Sequence, residues 1–183
     1  MNGPAEPAPV WSVELSASSA ADTQALASRI GTVLQAGDLL VLAGELGAGK
    51  TTFTQGLGQG LGVRPGIISP TFVLVRSHPS LGGGPDLVHV DAYRLGSDAE
   101  IDDIDLENTA DSAVTVVEWG RGRVEHLSDS WLDITFERST GAPAAAGPER
   151  AGFTADFDEA DQDEPRVIRI AAYGPRWEGR PLF

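Results

Sequence analysis

Between residues 21 and 35 the apolar side chains Leu26, Ile30, Val33 and Leu34 recur at i, i+4, i+7 and i+8, which is one stripe of an amphipathic helix. Ala36-Gly37-Asp38 breaks that helix. Residues 39–43 (Leu-Leu-Val-Leu-Ala) form a short continuous apolar run, the pattern of a central strand buried on both faces. A glycine-rich stretch follows, and residues 50–61 read as a second helix ended by Gly62. Beyond Arg64-Pro65-Gly66 the pattern turns to β. Residues 72–75 and 87–90 are expected strands of a hairpin, flanking the turn-rich connector Pro79-Ser80-Leu81-Gly82-Gly83-Gly84-Pro85. A polar stretch at 97–111 carries seven acids and no base, with a short helix expected over 98–106. Residues 113–117 predict another buried strand, and 131–136 and 167–172 predict two more.

A chain of 183 residues with 41% hydrophobic content suits one compact α/β domain with a full core. Residues 1–12 are expected to be a flexible lead-in because of their prolines, and residues 175–183 a C-terminal tail. Residues 141–165 hold seven acids and one base among Ala, Gly and Pro. Such a stretch buries too little apolar surface to order itself, so a disordered acidic insertion between two paired strands, away from the nucleotide, is expected there. The net charge of −14 repels phosphate backbones, so tight independent binding of nucleic acid is not expected, and any contact with RNA is expected to run through a basic partner. No cysteine is present, which removes disulfides and Cys-based zinc sites. No segment approaches the roughly 20 apolar residues of a membrane span. The first nine residues lack the basic and apolar regions of a signal peptide, so a cytoplasmic location is expected.

The stretch Gly44-Glu45-Leu46-Gly47-Ala48-Gly49-Lys50-Thr51 satisfies G-x-x-x-x-G-K-[ST], and it lies between an expected strand and an expected helix. In that setting backbone N–H groups turn around phosphate oxygens, Lys50 adds a mobile positive charge, and the Thr51 hydroxyl is a ligand for Mg²⁺. Such a site needs a further acid at the end of a neighbouring strand. Two fit: Asp91, after 87–90, and Glu118, after 113–117. Thr71, in Ser69-Pro70-Thr71-Phe72, lies where a switch loop reaches a γ-phosphate. Trp119 follows Glu118 and is placed beside the nucleotide or a partner. His89 alternates with Val88 and Val90 and is expected to be structural. Arg94 is open to two uses, a phosphate contact or a surface ion pair.

Taken together, these residues resemble the TsaE family (also called YjeE). The resemblance rests on Gly44 to Thr51 with Thr52-Phe53, on Ser69-Pro70-Thr71-Phe72, on His89-Val90-Asp91-Ala92-Tyr93-Arg94-Leu95 and on Val117-Glu118-Trp119, and it covers about residues 21–172. It implies a single P-loop NTPase-type domain over residues 13–174, with a mixed β-sheet, flanking helices and added antiparallel strands. It also implies an ATPase of bacterial tRNA threonylcarbamoyladenosine synthesis that uses ATP and Mg²⁺. ATP would be held by Glu45, Leu46, Gly47, Ala48, Gly49, Lys50, Thr51, Thr52, Thr71 and Trp119. Mg²⁺ would be held by Thr51, Asp91 and Glu118, with Glu118, Asp91 and Lys50 as the catalytic groups. The implied partners are TsaD and TsaB, with tRNA reached only through them and no membrane contact. One departure stands out: the family commonly carries an acid shortly after Glu-Trp, where this chain has Gly120-Arg121-Gly122-Arg123. Two rival readings are a small-molecule kinase and a nucleotide-dependent binding module. A GTPase is disfavoured by the lack of an Asn-Lys-x-Asp motif.

Overall fold

The computed structural model describes residues 7–139 and 164–183. The acidic insertion expected at 141–165 lies, but for its last two residues, outside the described residues, as do the first six residues of the lead-in. Seven described strands are β1 (Trp11–Ala17), β2 (Leu39–Gly44), β3 (Val75–His78), β4 (Asp86–Asp91), β5 (Ala113–Glu118), β6 (Trp131–Arg138) and β7 (Arg166–Tyr173). They form one mixed sheet in the order β1-β7-β6-β2-β5-β4-β3. The four inner strands β6, β2, β5 and β4 are mutually parallel; β3 pairs antiparallel with β4 on one side, and on the other β7 pairs antiparallel with both β6 and β1. This is the α/β architecture the sequence implied, with its antiparallel additions at both margins.

Two apolar layers explain the continuous hydrophobic run in β2. Leu40 and Leu42 face a core shared with Val114, Val116, Ile134 and Ile168, covered by Ala27 and Ile30 of α1 (Ala20–Gly31) and by Phe53 and Leu57 of α2 (Lys50–Leu61). Leu39 and Val41 face the other side with Val88, Val90 and Val117, beneath Ile101 of α3 (Asp98–Asp102), Leu106 and Val124. Residues of β2 therefore have no wet face to leave polar.

Helix α1 starts at a Ser19 cap that accepts from the Asp22 amide, and it ends at Gly31, short of residue 35. Leu34 still packs into the core from the turn beyond, which is why the apolar stripe outruns the helix. Helices α1 and α2 meet along a glycine seam. A Cβ on Gly56 would lie 2.4 Å from the Gln24 carbonyl oxygen, and one on Gly60 would lie 2.1 Å from that of Ser28. Both obstacles are backbone, so neither can turn aside.

Four expectations need correction. Trp11 and Ser12 belong to β1 rather than to a lead-in, because Trp11, Val13 and Leu15 alternate toward the core while the strand pairs with β7. The segment 175–183 is not a free tail: Trp177 is buried, and its carbonyl accepts from the Trp11 indole at 2.9 Å. Residues 72–74 are not strand, since the Pro70 carbonyl accepts from both Val73 and Leu74 amides and closes a turn, delaying β3 to Val75. The single helix expected over 98–106 is two short ones, α3 and α4 (Glu107–Ala110), separated at Asp105 with its φ of 59°.

Gly60→Ala is expected to lower the unfolding free energy by about 1–3 kcal/mol, the usual cost of forcing a methyl into a closed contact. Urea denaturation measures this; an unchanged midpoint would show that α1 and α2 separate freely.

Candidate functional site

Residues 44–51 link β2 to α2 at the carboxyl edge of the parallel strands. Gly49 caps α2 with φ 101°, a left-handed conformation that glycine adopts without strain, and among the described residues no side chain caps the first amides of the helix. Those amides and the helix dipole favour an anion. A Cβ on Gly44 would stand 2.9 Å from the Phe136 carbonyl of β6, so the loop leaves the sheet through a gap only glycine fits.

Lys50 lies almost wholly buried inside this loop, 5% exposed. Its Nζ donates to the carbonyls of Gly44 (2.9 Å) and Glu45 (2.8 Å) and sits 4.4 Å from the centre of the Trp119 ring. Burial pulls its pKa below the usual lysine value, Glu118 and then Asp91 push it back up, and Arg166 pulls it down again. The ammonium is thus a cation short of water, flanked by both acids. Alternative ligands that carry negative charge gain most at such a spot.

Asp91 and Glu118 are the last residues of β4 and β5 and are direct register partners, both buried. Leu42 of β2 pairs with Glu118 in turn, so the phosphate loop and the two carboxylates share one edge. The Thr51 hydroxyl reaches Glu118 Oε1 at 3.5 Å. Thr71 donates to Asp91 Oδ2 at 3.1 Å, and the Tyr93 amide donates to Asp91 Oδ1 at 3.0 Å. Trp119 takes a left-handed φ of 61°, costly for a bulky side chain, while its amide bonds the Leu42 carbonyl. Its ring packs on Tyr93 at 5.1 Å and under Lys50.

The remaining residues of the expected nucleotide set follow the loop. Ala48 is buried and its amide donates to the Glu45 carbonyl at 3.0 Å. Glu45 and Gly47 are exposed, Thr52 is half-buried on α2, and Leu46 stands 81% exposed, turned to solvent rather than inward. Arg94 stacks its guanidinium on the exposed Phe72 ring at 4.7 Å, a use different from either one considered for it. His89 places Nε2 2.7 Å from Glu118 Oε1.

Arg166 was not singled out from the sequence. It opens β7, and its Nη1 donates to the Gly47 carbonyl at 2.9 Å while its stem packs 3.6 Å from a Cβ built on Gly49. Its position in register with buried Ile168 and Ile170, a charge on an apolar face, was the available signal. Because β6 runs parallel to β2, the described residues that flank the insertion lie at the phosphate-loop edge, while the expectation that the insertion itself stays off the nucleotide falls outside the described residues.

Among the described residues no cluster of three or more His, Asp or Glu could hold a metal alone. One hydroxyl and two carboxylates suit Mg²⁺, which keeps several waters and takes the rest of its shell from phosphate oxygens. The uncapped amides and Lys50 suit the phosphates themselves. A separate cavity of about 430 Å³, lined by Asp38, Thr115, Ser130 and Arg176 among others, opens at the opposite edge of the sheet, remote from all these groups.

Fold and edge together define a P-loop NTPase-type α/β domain. The sequence profile of "Threonylcarbamoyl adenosine biosynthesis protein TsaE" matches residues 17–145. The chain belongs to the TsaE family, and its role lies in tRNA threonylcarbamoyladenosine biosynthesis. It is 48% identical to the tRNA threonylcarbamoyladenosine biosynthesis protein TsaE of Streptomyces coelicolor over 153 residues, 83% of this chain and 91% of that one. It is 36% identical to the protein of the same name in Bacillus subtilis over 118 residues, 64% of this chain and 73% of that one. A crystal structure of Bacillus subtilis YdiB superposes with a TM-score of 0.63 at 29% identity, covering 92% of this chain and 90% of that one.

Arg166→Met is expected to speed amide hydrogen exchange across residues 45–49 by about tenfold or more, since a charge-assisted bond to the loop is lost. Unchanged exchange there would mean that the loop holds its shape without β7.

Proposed function

We propose that this chain is a Mg²⁺-dependent ATPase that binds and resets a TsaD–TsaB transferase during threonylcarbamoyl modification of tRNA at position 37, acting in the cytoplasm. The observation that carries this reading is the convergence of Lys50, Thr51, Asp91 and Glu118 at one edge of the sheet. Bound Mg-ATP supplies a γ-phosphoryl group open to in-line attack by water, and there is little covalent work for a protein to do. Lys50 turns from the carbonyls of its own loop to the β- and γ-phosphates. Thr51, Asp91 and Glu118 hold the metal side, Glu118 orients the attacking water, and Trp119 bounds the site. The edge is also rimmed by apolar side chains left in solvent, among them Leu46, Ile68, Phe72 (84% exposed) and Tyr93 (64% exposed). A surface of that kind supports action through a protein partner. The net charge of −14 supports contact with tRNA only through that partner.

A kinase reading draws no support from the arginines after Glu118. Arg121 is bonded to Asp133 and Thr135, and Arg123 is bonded to Asp98 and to the carbonyls of Ala92 and Ser97, so both are anchored to the body. No described helix is long and apolar enough to cross a membrane.

ATP turnover by the purified chain, alone and with a cognate TsaD–TsaB pair and substrate tRNA, tests the reading. Stimulation by the pair and multiple-turnover modification are expected; tight Mg-ATP binding with neither would send the search to phosphoryl acceptors. Lys50→Ala should abolish productive binding, and near-normal affinity and turnover in it would sink the assignment. Glu118→Gln should retain nucleotide while slowing hydrolysis about 10²-fold or more. Full turnover in that variant would move water positioning to Asp91.

A further inference from the structure

His89 is completely buried, and its Nε2 lies 2.7 Å from Glu118 Oε1. The contact is not a neighbour pairing along the ladder: His89 is in register with Val116, and Glu118 with Asp91, so the imidazole reaches diagonally along β5 to the carboxyl group. An ionised carboxylate accepts but does not donate, so this bond requires the imidazole proton on Nε2. His89 Nδ1 is buried without a partner among the described residues, so a proton placed there would have no acceptor. Two further buried atoms in the same condition, His78 Nε2 and Arg76 Nε, come from β3, where Arg76 is the register partner of His89. The three side chains lie on the sheet face that α2 covers, and both His89 and Arg76 bear on His78, which burial already keeps below the usual histidine pKa. An apolar residue would fill that place at lower desolvation cost.

Glu118 Oε1 takes both the His89 bond and the long Thr51 contact, while Oε2 takes no hydrogen bond from the described residues. A glutamate has three side-chain torsions, and one oxygen held by a rigid ring fixes where the other points. We propose that His89 is the positioning residue of this site: its Nε2–H holds Glu118 Oε1, the oxygen that also faces the Thr51 hydroxyl, and so fixes the carboxylate group on the metal and water side. Being completely buried, it acts through Glu118. This rests on the ATPase reading for its kinetic consequence but not for its geometry.

The geometry is tested first on the unaltered chain by two-bond ¹⁵N–¹H correlation of the imidazoles. A bare Nδ1 and a protonated Nε2 are expected for His89; the opposite tautomer overturns the proposal even if the chain hydrolyses ATP. The role is tested with His89→Leu and with His89→Gln, which keeps an N–H near the Nε2 position. His89→Leu should lower kcat about 10- to 100-fold, the usual effect of removing a group that orients a metal-side ligand. It should raise the Mg²⁺ concentration needed for nucleotide binding, with nucleotide affinity in the absence of Mg²⁺ unchanged. His89→Gln should recover most of the loss, and in a Glu118→Gln background His89→Leu should cost less than about twofold more. Additive losses, no rescue by Gln, or equal weakening with and without Mg²⁺ would each reduce His89 to core packing. Should the Leu variant fail to fold, the tautomer and the Gln variant decide. An unaltered chain without turnover defeats the ATPase reading while the tautomer and the Mg²⁺ dependence still judge His89.

Discussion

A buried ammonium beside buried carboxylates survives only where the backbone supplies the partners that water would otherwise give. In this chain that condition is met by the parallel pairing of β2, β5 and β4, which brings the phosphate loop, Glu118 and Asp91 to one edge. Lys50 is satisfied by two carbonyls of its own loop and by the face of Trp119, and its charge is offset by the two acids. Shift the register of β5 by one residue and Glu118 would change faces, leaving the lysine stranded. The strain at Trp119, the gap at Gly44 and the brace from Arg166 all follow from closing that one arrangement.

Membership of the TsaE family and the local physics meet at the same residues. The family comparisons say which process the chain serves, and the geometry says which groups are placed to do chemistry there. After Glu118-Trp119 the chain continues with Gly120-Arg121, and the structure turns Arg121 onto Asp133 and Thr135 of β6. That pair of contacts fastens the segment after Trp119 to the sheet. Hydrogen bonding to Asp133 raises the Arg121 pKa further, so the fastening is insensitive to pH in the neutral range.

Much of this was legible because local and global signals agreed. The continuous runs at 39–43 and 113–117 could only be central strands, and each carries its chemistry on the next residue or loop. Helix α2 was bounded correctly because a glycine stands at either end. The misses have equally local causes. Prolines ahead of Trp11 hid the period-two pattern of β1, and an apolar run at 72–75 imitated a strand although three of its four residues form a turn that leaves Phe72 and Val73 in solvent. Arg166 escaped because a long acidic stretch precedes it and because the parallel pairing of β6 with β2, which brings it to the loop, is a long-range choice with no local mark. The tie from His89 to Glu118 is of the same kind: alternation gives a face, not a diagonal neighbour.

The glycine seam has a mechanical consequence. With backbone pressed on backbone at Gly56 and Gly60, α2 has no room to slide or roll on α1, and the phosphate loop at its head inherits that stiffness. The opposite margin is built differently: β3 is four residues long, borders solvent, and is joined to the turn at 71–74 by the bond from the Val75 amide to the Val73 carbonyl. The site therefore has a stiff wall behind the phosphate loop and a lightly tied turn across from it, and Thr71, bonded to Asp91 at the end of β4, is a side-chain tie between that turn and the carboxylate edge.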